Sequence, residues 1–186
     1  MIFTGAYELN ADHTKVWKYL NNPVILKNCI DGCKEFVYED ESSYKALILI
    51  KLGPINASFK SKIKILNIKE MESYDIEASG NAGQLGFASG KINVYLEKKG
   101  LNTLLTYKAE AKINGKIAQL GSRLIDGSVK KNTDLFFNNF KKSLTDNSFS
   151  SIGKNKSLNK ESNFKLIICL VFLFFIIVIL LGIYAK

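Results

Sequence analysis

Apolar and polar side chains alternate along the first 144 residues in two distinct periods. Phe3, Gly5, Tyr7 and Leu9 recur every second residue, which predicts an opening strand. Val16, Trp17 and Leu20 share one side of a short helix, with Asp12 in the N-cap position. Asn21-Asn22-Pro23 stops that helix, and Val24 to Lys27 has room for a second turn. Period two then returns through the middle of the chain. Phe36 and Tyr38 mark one strand, and Tyr44, Ala46, Ile48 and Ile50 the next. After a turn at Gly53-Pro54, Ile55, Ala57, Phe59, Ile63 and Ile65 face one way while Ser58, Lys60, Lys62 and Lys64 face the other. Tyr74 to Ala78, Ile92 to Leu96 and Leu105 to Ala111 complete the series. Strict alternation describes an antiparallel sheet with one buried and one wet face.

After Asn114-Gly115 the period becomes helical. Ile117, Leu120, Leu124, Ile125, Val129, Phe136, Phe137, Phe140 and Leu144 predict one long helix from Lys116 to about Leu144. The expected fold is therefore α+β in helix-grip order: a six- or seven-stranded antiparallel sheet wrapped around a long C-terminal helix. A sheet curled around one helix leaves a space suited to an apolar ligand. By their inward phase, Tyr44, Phe59, Phe87, Leu120 and Leu124 are the candidate walls of a ligand cavity. Because the core pattern ends near Leu144, deletion after Ser143 is expected to leave a folded, soluble domain.

The pattern changes a third time near the C-terminus. Leu166 to Tyr184 holds sixteen Leu, Ile, Val or Phe, plus Cys169, Gly182 and Tyr184, and no charge. Nineteen helical residues reach about 28 Å, close to the ~30 Å hydrocarbon thickness, and insertion is favourable by about 5–10 kcal/mol. The organisation expected is a folded domain at 1–144, a Ser-, Asn- and Lys-rich flexible linker at 145–163, and a single transmembrane anchor at 164–186. As a coil the nineteen-residue linker averages roughly 25 Å end to end. Lys154, Lys156, Lys160 and Lys165 precede the span and only Lys186 follows it. The positive-inside bias then sets the N-terminal domain in the cytoplasm, at the cytoplasmic membrane. There Cys29 and Cys33 are expected as reduced thiols.

Charge narrows the partners. The whole chain is +9, and residues 1–145 carry 21 Lys and Arg against 15 Asp and Glu. The lysines are dispersed and no nucleic-acid motif accompanies them, so a lipid membrane is the simpler partner and nucleic acid is not expected. Candidate chemistry is sparse. Cys29 and Cys33 lack the further ligands a structural zinc site needs, so no metal is expected. Gly80, Gly83, Gly86 and Gly90 match no phosphate loop, and read as a bulged hairpin or as a gate carrying Leu85 and Phe87. Gly121 and Gly127 fall inside the expected helix, where close packing or room for a ligand would offset their cost. Arg123 and Asp126 are spaced for a surface ion pair. His13, the only histidine, has no nucleophile beside it in sequence, so no catalytic residues are assigned.

Several of these stretches resemble a known family. Val16 to Pro23, Leu26 to Cys33, Lys51 to Lys60, and above all Gly115-Lys116-Ile117-Ala118-Gln119-Leu120-Gly121-Ser122-Arg123-Leu124-Ile125-Asp126-Gly127 resemble the G-subunit-like proteins of carbon monoxide dehydrogenase, in the START-like (SRPBCC) superfamily. Asp31 departs from that pattern, where Pro is usual. The resemblance implies a START-like helix-grip domain with an apolar cavity. It implies a non-enzymatic accessory protein that recruits a molybdenum hydroxylase complex to the membrane. No covalent cofactor is implied, but a bound quinone or lipid is, as a hydrophobic small molecule in the cavity. The polar cluster Gln119, Ser122, Arg123 and Asp126, with the Asp31-Gly32 turn, is the candidate partner contact. A cyclase- or hydrolase-like enzyme of the same fold, and a pure membrane tether with a filled core, are the alternatives.

Overall fold

The computed structural model describes residues 1–40 and 42–146. Seven strands, β1 (Ile2–Leu9), β2 (Cys33–Asp40), β3 (Ser43–Leu52), β4 (Ile55–Lys69), β5 (Ser73–Asn81), β6 (Phe87–Lys99) and β7 (Asn102–Asn114), form one sheet. Their order is β1-β7-β6-β5-β4-β3-β2, and every neighbour is antiparallel. Six strands follow one another as a meander. Only β1 reaches across to the far end of the chain's strands, pairing with β7 from Ile2↔Glu110 to Leu9↔Thr103. The helices α1 (His13–Leu20) and α2 (Pro23–Cys29) carry the chain from one sheet edge to the other.

Local chemistry accounts for these boundaries. Asp12 caps α1, its carboxylate accepting from the Thr14 amide at 2.9 Å. Asn22 caps α2 in the same way, accepting from Val24 and Ile25, and Pro23 sits at the first helical position. On β4 the alternation runs without a break from Ala57 to Ile65, odd positions buried and even positions exposed.

The long helix α3 (Ser122–Thr145) starts later than its sequence period suggests. Residues Ala118–Leu120 form a separate 3-10 turn, and Gly121 stands between the two with φ +82°. That backbone conformation belongs to glycine, so the helical phase restarts at Ser122. The buried stripe of α3 is Ile125, Val129, Thr133, Phe136, Phe137, Phe140, Ser143 and Leu144. Leu124 falls one step off this stripe and is 46% exposed, so it is not the inward wall expected. Gly127 also faces open space, and no close packing explains it.

Phe136, Phe137 and Phe140 are fully buried and fill the hollow of the sheet with Phe59, Tyr44 and Tyr74. The rings of Phe136 and Phe137 meet edge to face at 5.2 Å. The β5–β6 connection is pinned as well. Ala82 donates to Gly86, and Ile117 donates to the Leu85 carbonyl at 3.0 Å. A Cβ on Gly86 would stand 2.0 Å from the Asn114 carbonyl oxygen, so only glycine fits there. Pairing of β5 with β6 is continuous from Ser73 to Asn81, so the expected bulges are absent.

The expected membrane span at 166–184 lies outside the described residues. Among the described residues no helix is long and apolar enough to cross a membrane. The edge of the core also moves slightly. Leu144 is 4% exposed, and its carbonyl accepts from Lys15 Nζ at 2.6 Å. A chain ending after Asp146 is therefore expected to fold fully. One ending after Ser143 should lose roughly 2–5 kcal/mol, the cost of deleting a buried leucine. Urea unfolding of the two truncations, alongside Phe140→Ala at about 3–5 kcal/mol, checks this directly.

Candidate functional site

The strand β1 is an edge, bonded to β7 on one side and bare on the other. Its inward residues Phe3, Gly5 and Tyr7 face the first half of α3. Asp126, Val129, Lys130, Thr133 and Asp134 come forward from that helix at three- and four-residue spacing, so they share one side. Between strand and helix lies a cleft of about 520 Å³, lined by these residues and by Tyr107 of β7.

Two tyrosines build its floor. Tyr107 pairs in register with Gly5, and its ring lies over the glycine backbone. A Cβ at Gly5 would stand 2.3 Å from that ring, so the glycine is what admits it. Tyr7 stacks on Phe137 at 3.7 Å between centroids, and its hydroxyl donates to Asp134 Oδ1 at 3.1 Å. The Tyr7 and Tyr107 rings are nearly parallel, 15° apart, with centroids 6.4 Å apart. Asp134 also accepts from Lys130 Nζ at 2.9 Å.

Electrostatics keep both phenols neutral. Burial, then the neighbouring Tyr107 and Asp134, pushes the Tyr7 hydroxyl well above the ordinary phenol range. Burial, then Asp134, does the same for Tyr107. The hydrogen bond from Lys130 holds Asp134 below the usual carboxylate value, with Tyr7 adding to it. The cleft thus brings together two neutral phenols, the Asp126 and Asp134 carboxylates and the Lys130 ammonium.

His13 lies elsewhere, its Nε2 bonded to the Met71 carbonyl. Cys29 and Cys33 are free thiols. Burial pushes Cys29 up to about 12, against a smaller opposing effect of the Ser143 hydroxyl, and also raises Cys33. Among the described residues no three His, Cys, Asp or Glu side chains group to hold a metal.

A larger depression, about 730 Å³, lies on the outer sheet face between Lys62, Lys64, Lys91 and Lys112. It is remote from the helix, and Lys91 within it is paired to Glu77 at 2.6 Å. Its solvated charges define no enclosed chemistry.

None of the five expected wall residues lines the β1–α3 cleft. Tyr44 and Phe59 are buried in the filled core, Leu120 is half-buried, and Phe87 is 42% exposed at the start of β6. The expected partner residues are accessible. Gln119, Ser122, Arg123 and Asp126 are all exposed around the start of α3, and Asp126 also borders the cleft. Asp31 is exposed, but the Asp31-Gly32 turn is stationed apart from them. The Gly32 carbonyl accepts from Leu49 of β3, and the nearby Cys29 carbonyl accepts from Asn139, well along α3 from Asp126. The residues sequence reasoning missed are Gly5, Tyr7, Tyr107, Val129, Thr133 and Asp134. One signal was present: a glycine at an inward position between Phe3 and Tyr7 needs a bulky neighbour to explain it.

Sheet, curled grip and side cleft define a START-like domain. The crystal structure of a START superfamily protein from Mycobacterium smegmatis superposes with TM-score 0.54 at 8% identity, covering 77% of this chain and 97% of its own. An aromatase/cyclase from Streptomyces sp. R1128 gives 0.56 at 10%, covering 80% and 95%. A conserved protein from Geobacillus kaustophilus gives 0.75 at 29%, covering 79% and 97%. No curated protein matches the sequence. The chain belongs to the CoxG family, named for the G-subunit of carbon monoxide dehydrogenase, whose model matches residues 5–145.

The cleft's charges predict a pH profile. Asp134 binds its proton less readily folded than unfolded, so its contribution is present above about pH 4 and lost as pH falls further. Asp134→Asn should cost under about 1 kcal/mol at neutral pH, because the pair is solvent-accessible, and nothing at about pH 2. Tyr7 and Tyr107 hold their protons more tightly folded, so stability should fall as pH rises past about 10. Tyr7→Phe should flatten that alkaline limb. Urea unfolding across pH reads both.

Proposed function

We propose that this chain is a non-enzymatic accessory protein. It brings a molybdenum-containing hydroxylase of the carbon monoxide dehydrogenase type to the cytoplasmic membrane and holds a quinone or similar ring-bearing lipid in the β1–α3 cleft. The observation that carries the ligand is the cleft itself: about 520 Å³ bordered by Tyr7, Tyr107 and Val129, with both phenols kept neutral by burial. Family membership supports the accessory role and the partner class. The uncharged apolar run at 166–184 supports a single-pass anchor, with the domain on the cytoplasmic side.

The Streptomyces neighbour is a cyclase, but at 10% identity it speaks for the fold alone. A specific observation favours a second reading. The sheet's hollow is filled by Phe59, Phe136, Phe137 and Phe140, as a pure tether with no ligand would have it. Under that reading the cleft stays empty.

Titration of the full-length protein with a short-chain quinone separates the two. Binding is expected, and Val129→Phe should weaken it by about 10–100-fold, since overfilling a packed site costs about 1–3 kcal/mol. Mass spectrometry of lipid extracted from the purified protein should find the native occupant. No binding and no extracted quinone would leave the tether. For the partner, Arg123→Glu should weaken capture of the hydroxylase while leaving folding intact, because Arg123 is exposed. Unfolding of that variant would defeat the docking role.

A further inference from the structure

The helix α3 divides the domain into two ends of different character. At its start lie the β3–β4 turn, the β5–β6 connection and the 3-10 turn before Gly121. At its finish lie three features that converge from distant parts of the chain. Lys15 at the start of α1 bonds the Leu144 carbonyl. His13, two residues earlier, bonds the carbonyl of Met71 in the β4–β5 turn. Lys98, beside the β6–β7 turn, lies close enough to Asp12 to act on its carboxylate. The last described residues therefore leave the domain beside the β4–β5 and β6–β7 hairpin tips.

Those tips expose apolar side chains. Leu101, at the β6–β7 turn, is 89% exposed, the most exposed large apolar side chain among the described residues. Ile68, just before the β4–β5 turn, is 42% exposed. Lysines and glutamates flank both tips: Lys69 and Glu70 beside one, Glu97, Lys98 and Lys99 beside the other. Such a mixed rim with an apolar point suits a headgroup layer, where lysines reach outward and the apolar tip goes in. Nothing inside the domain requires Leu101 to be apolar.

Connectivity favours one end of the domain as the one that faces the bilayer. Nineteen residues, 147–165, separate the last described residue from the uncharged apolar run that begins at Leu166. The helix α3, 24 residues long, spans about 36 Å. The end where α3 finishes is therefore the end joined to the proposed anchor, and the opposite end lies a helix length further from that junction.

We propose that the end of the domain where α3 finishes rests on the bilayer, with Leu101 and Ile68 dipping into the headgroup layer. This rests on the membrane-anchored reading above and adds an orientation to it. The exposed cluster Gln119, Ser122 and Arg123, at the start of α3, then points away from the lipid and toward the cytoplasm.

The test uses the full chain in vesicles of phosphatidylcholine with a minority of phosphatidylglycerol, some acyl chains brominated near the headgroup. The variants L101W and F87W report on the two ends, and the native Trp17, buried in the core, gives the same background in both. Emission from L101W should shift to shorter wavelength and be quenched by the brominated lipid, while F87W should show neither. Equal quenching at both ends, or none at L101W in a chain that floats with the vesicles, overturns the orientation alone. A full chain that stays in the aqueous fraction overturns the anchored reading and the orientation with it.

Discussion

One contact organises this domain: the aromatic stripe of α3 against the hollow of a seven-stranded sheet. Phe136, Phe137 and Phe140 are essentially without solvent contact, and the sheet's inner rows close around them. Each ring buries about 150 Å² or more, worth about 4 kcal/mol at roughly 25 cal/mol per Å². Among the described residues no other helix offers a comparable apolar face, since α1 and α2 are each two turns long. Without α3, the sheet would expose a face carrying Ile63, Ile76, Ile92, Val94, Leu105 and Ala109 to water. The helix α1 in turn marks where α3 ends, because Leu144 closes the stripe and its carbonyl accepts from Lys15 Nζ.

Most of this was legible in the sequence, because it is local. Period two needs only neighbouring residues, and β4 shows it without interruption from Ala57 to Ile65. The phase of α3 from Ile125 onward follows equally from spacing. What misled was Gly121. Carrying the helical period back through it gave Leu124 an inward direction, while the left-handed φ at Gly121 resets the phase and turns that side chain outward. A glycine inside an otherwise periodic run is a break as often as a packing device, and sequence spacing does not tell the two apart.

The cleft was not legible, for a different reason. Its defining contact joins Tyr7 to Asp134 across 127 positions, and its floor depends on Gly5 meeting Tyr107. Periodicity had assigned Gly5, Tyr7 and Tyr107 inward phases correctly. It contains no term for which inward residues meet a well-packed neighbour and which meet a gap. The expected wall residues Tyr44 and Phe59 are fully buried, Tyr44 against the rings of Phe36 and Tyr38 on β2, so they are core. The family motif around Gly115 to Gly127 proved informative about backbone and surface more than about a cavity. It supplies the 3-10 turn, the break at Gly121 and an exposed polar start to α3.

Why a ligand space should persist beside β1 and not in the hollow follows from the sheet's topology. A central strand is held by ladders on both sides, so parting it from α3 strains two rows of hydrogen bonds at once. The strand β1 is held only by β7 and can lean away with little disturbance to the rest. Beside the cleft it meets the helix through the ring stack of Tyr7 on Phe137 and the hydrogen bond from Tyr7 to Asp134. Each is worth about 1 kcal/mol. A ring-bearing ligand that stacks on the same tyrosine and accepts from its hydroxyl would restore both while it widens the gap. Entry there costs little and is largely compensated, whereas entry into the hollow would displace three buried phenylalanines at about 3–5 kcal/mol each. In the proposed reading, the filled core and the side cleft are therefore compatible: the core holds the sheet's shape, and the edge strand supplies the give.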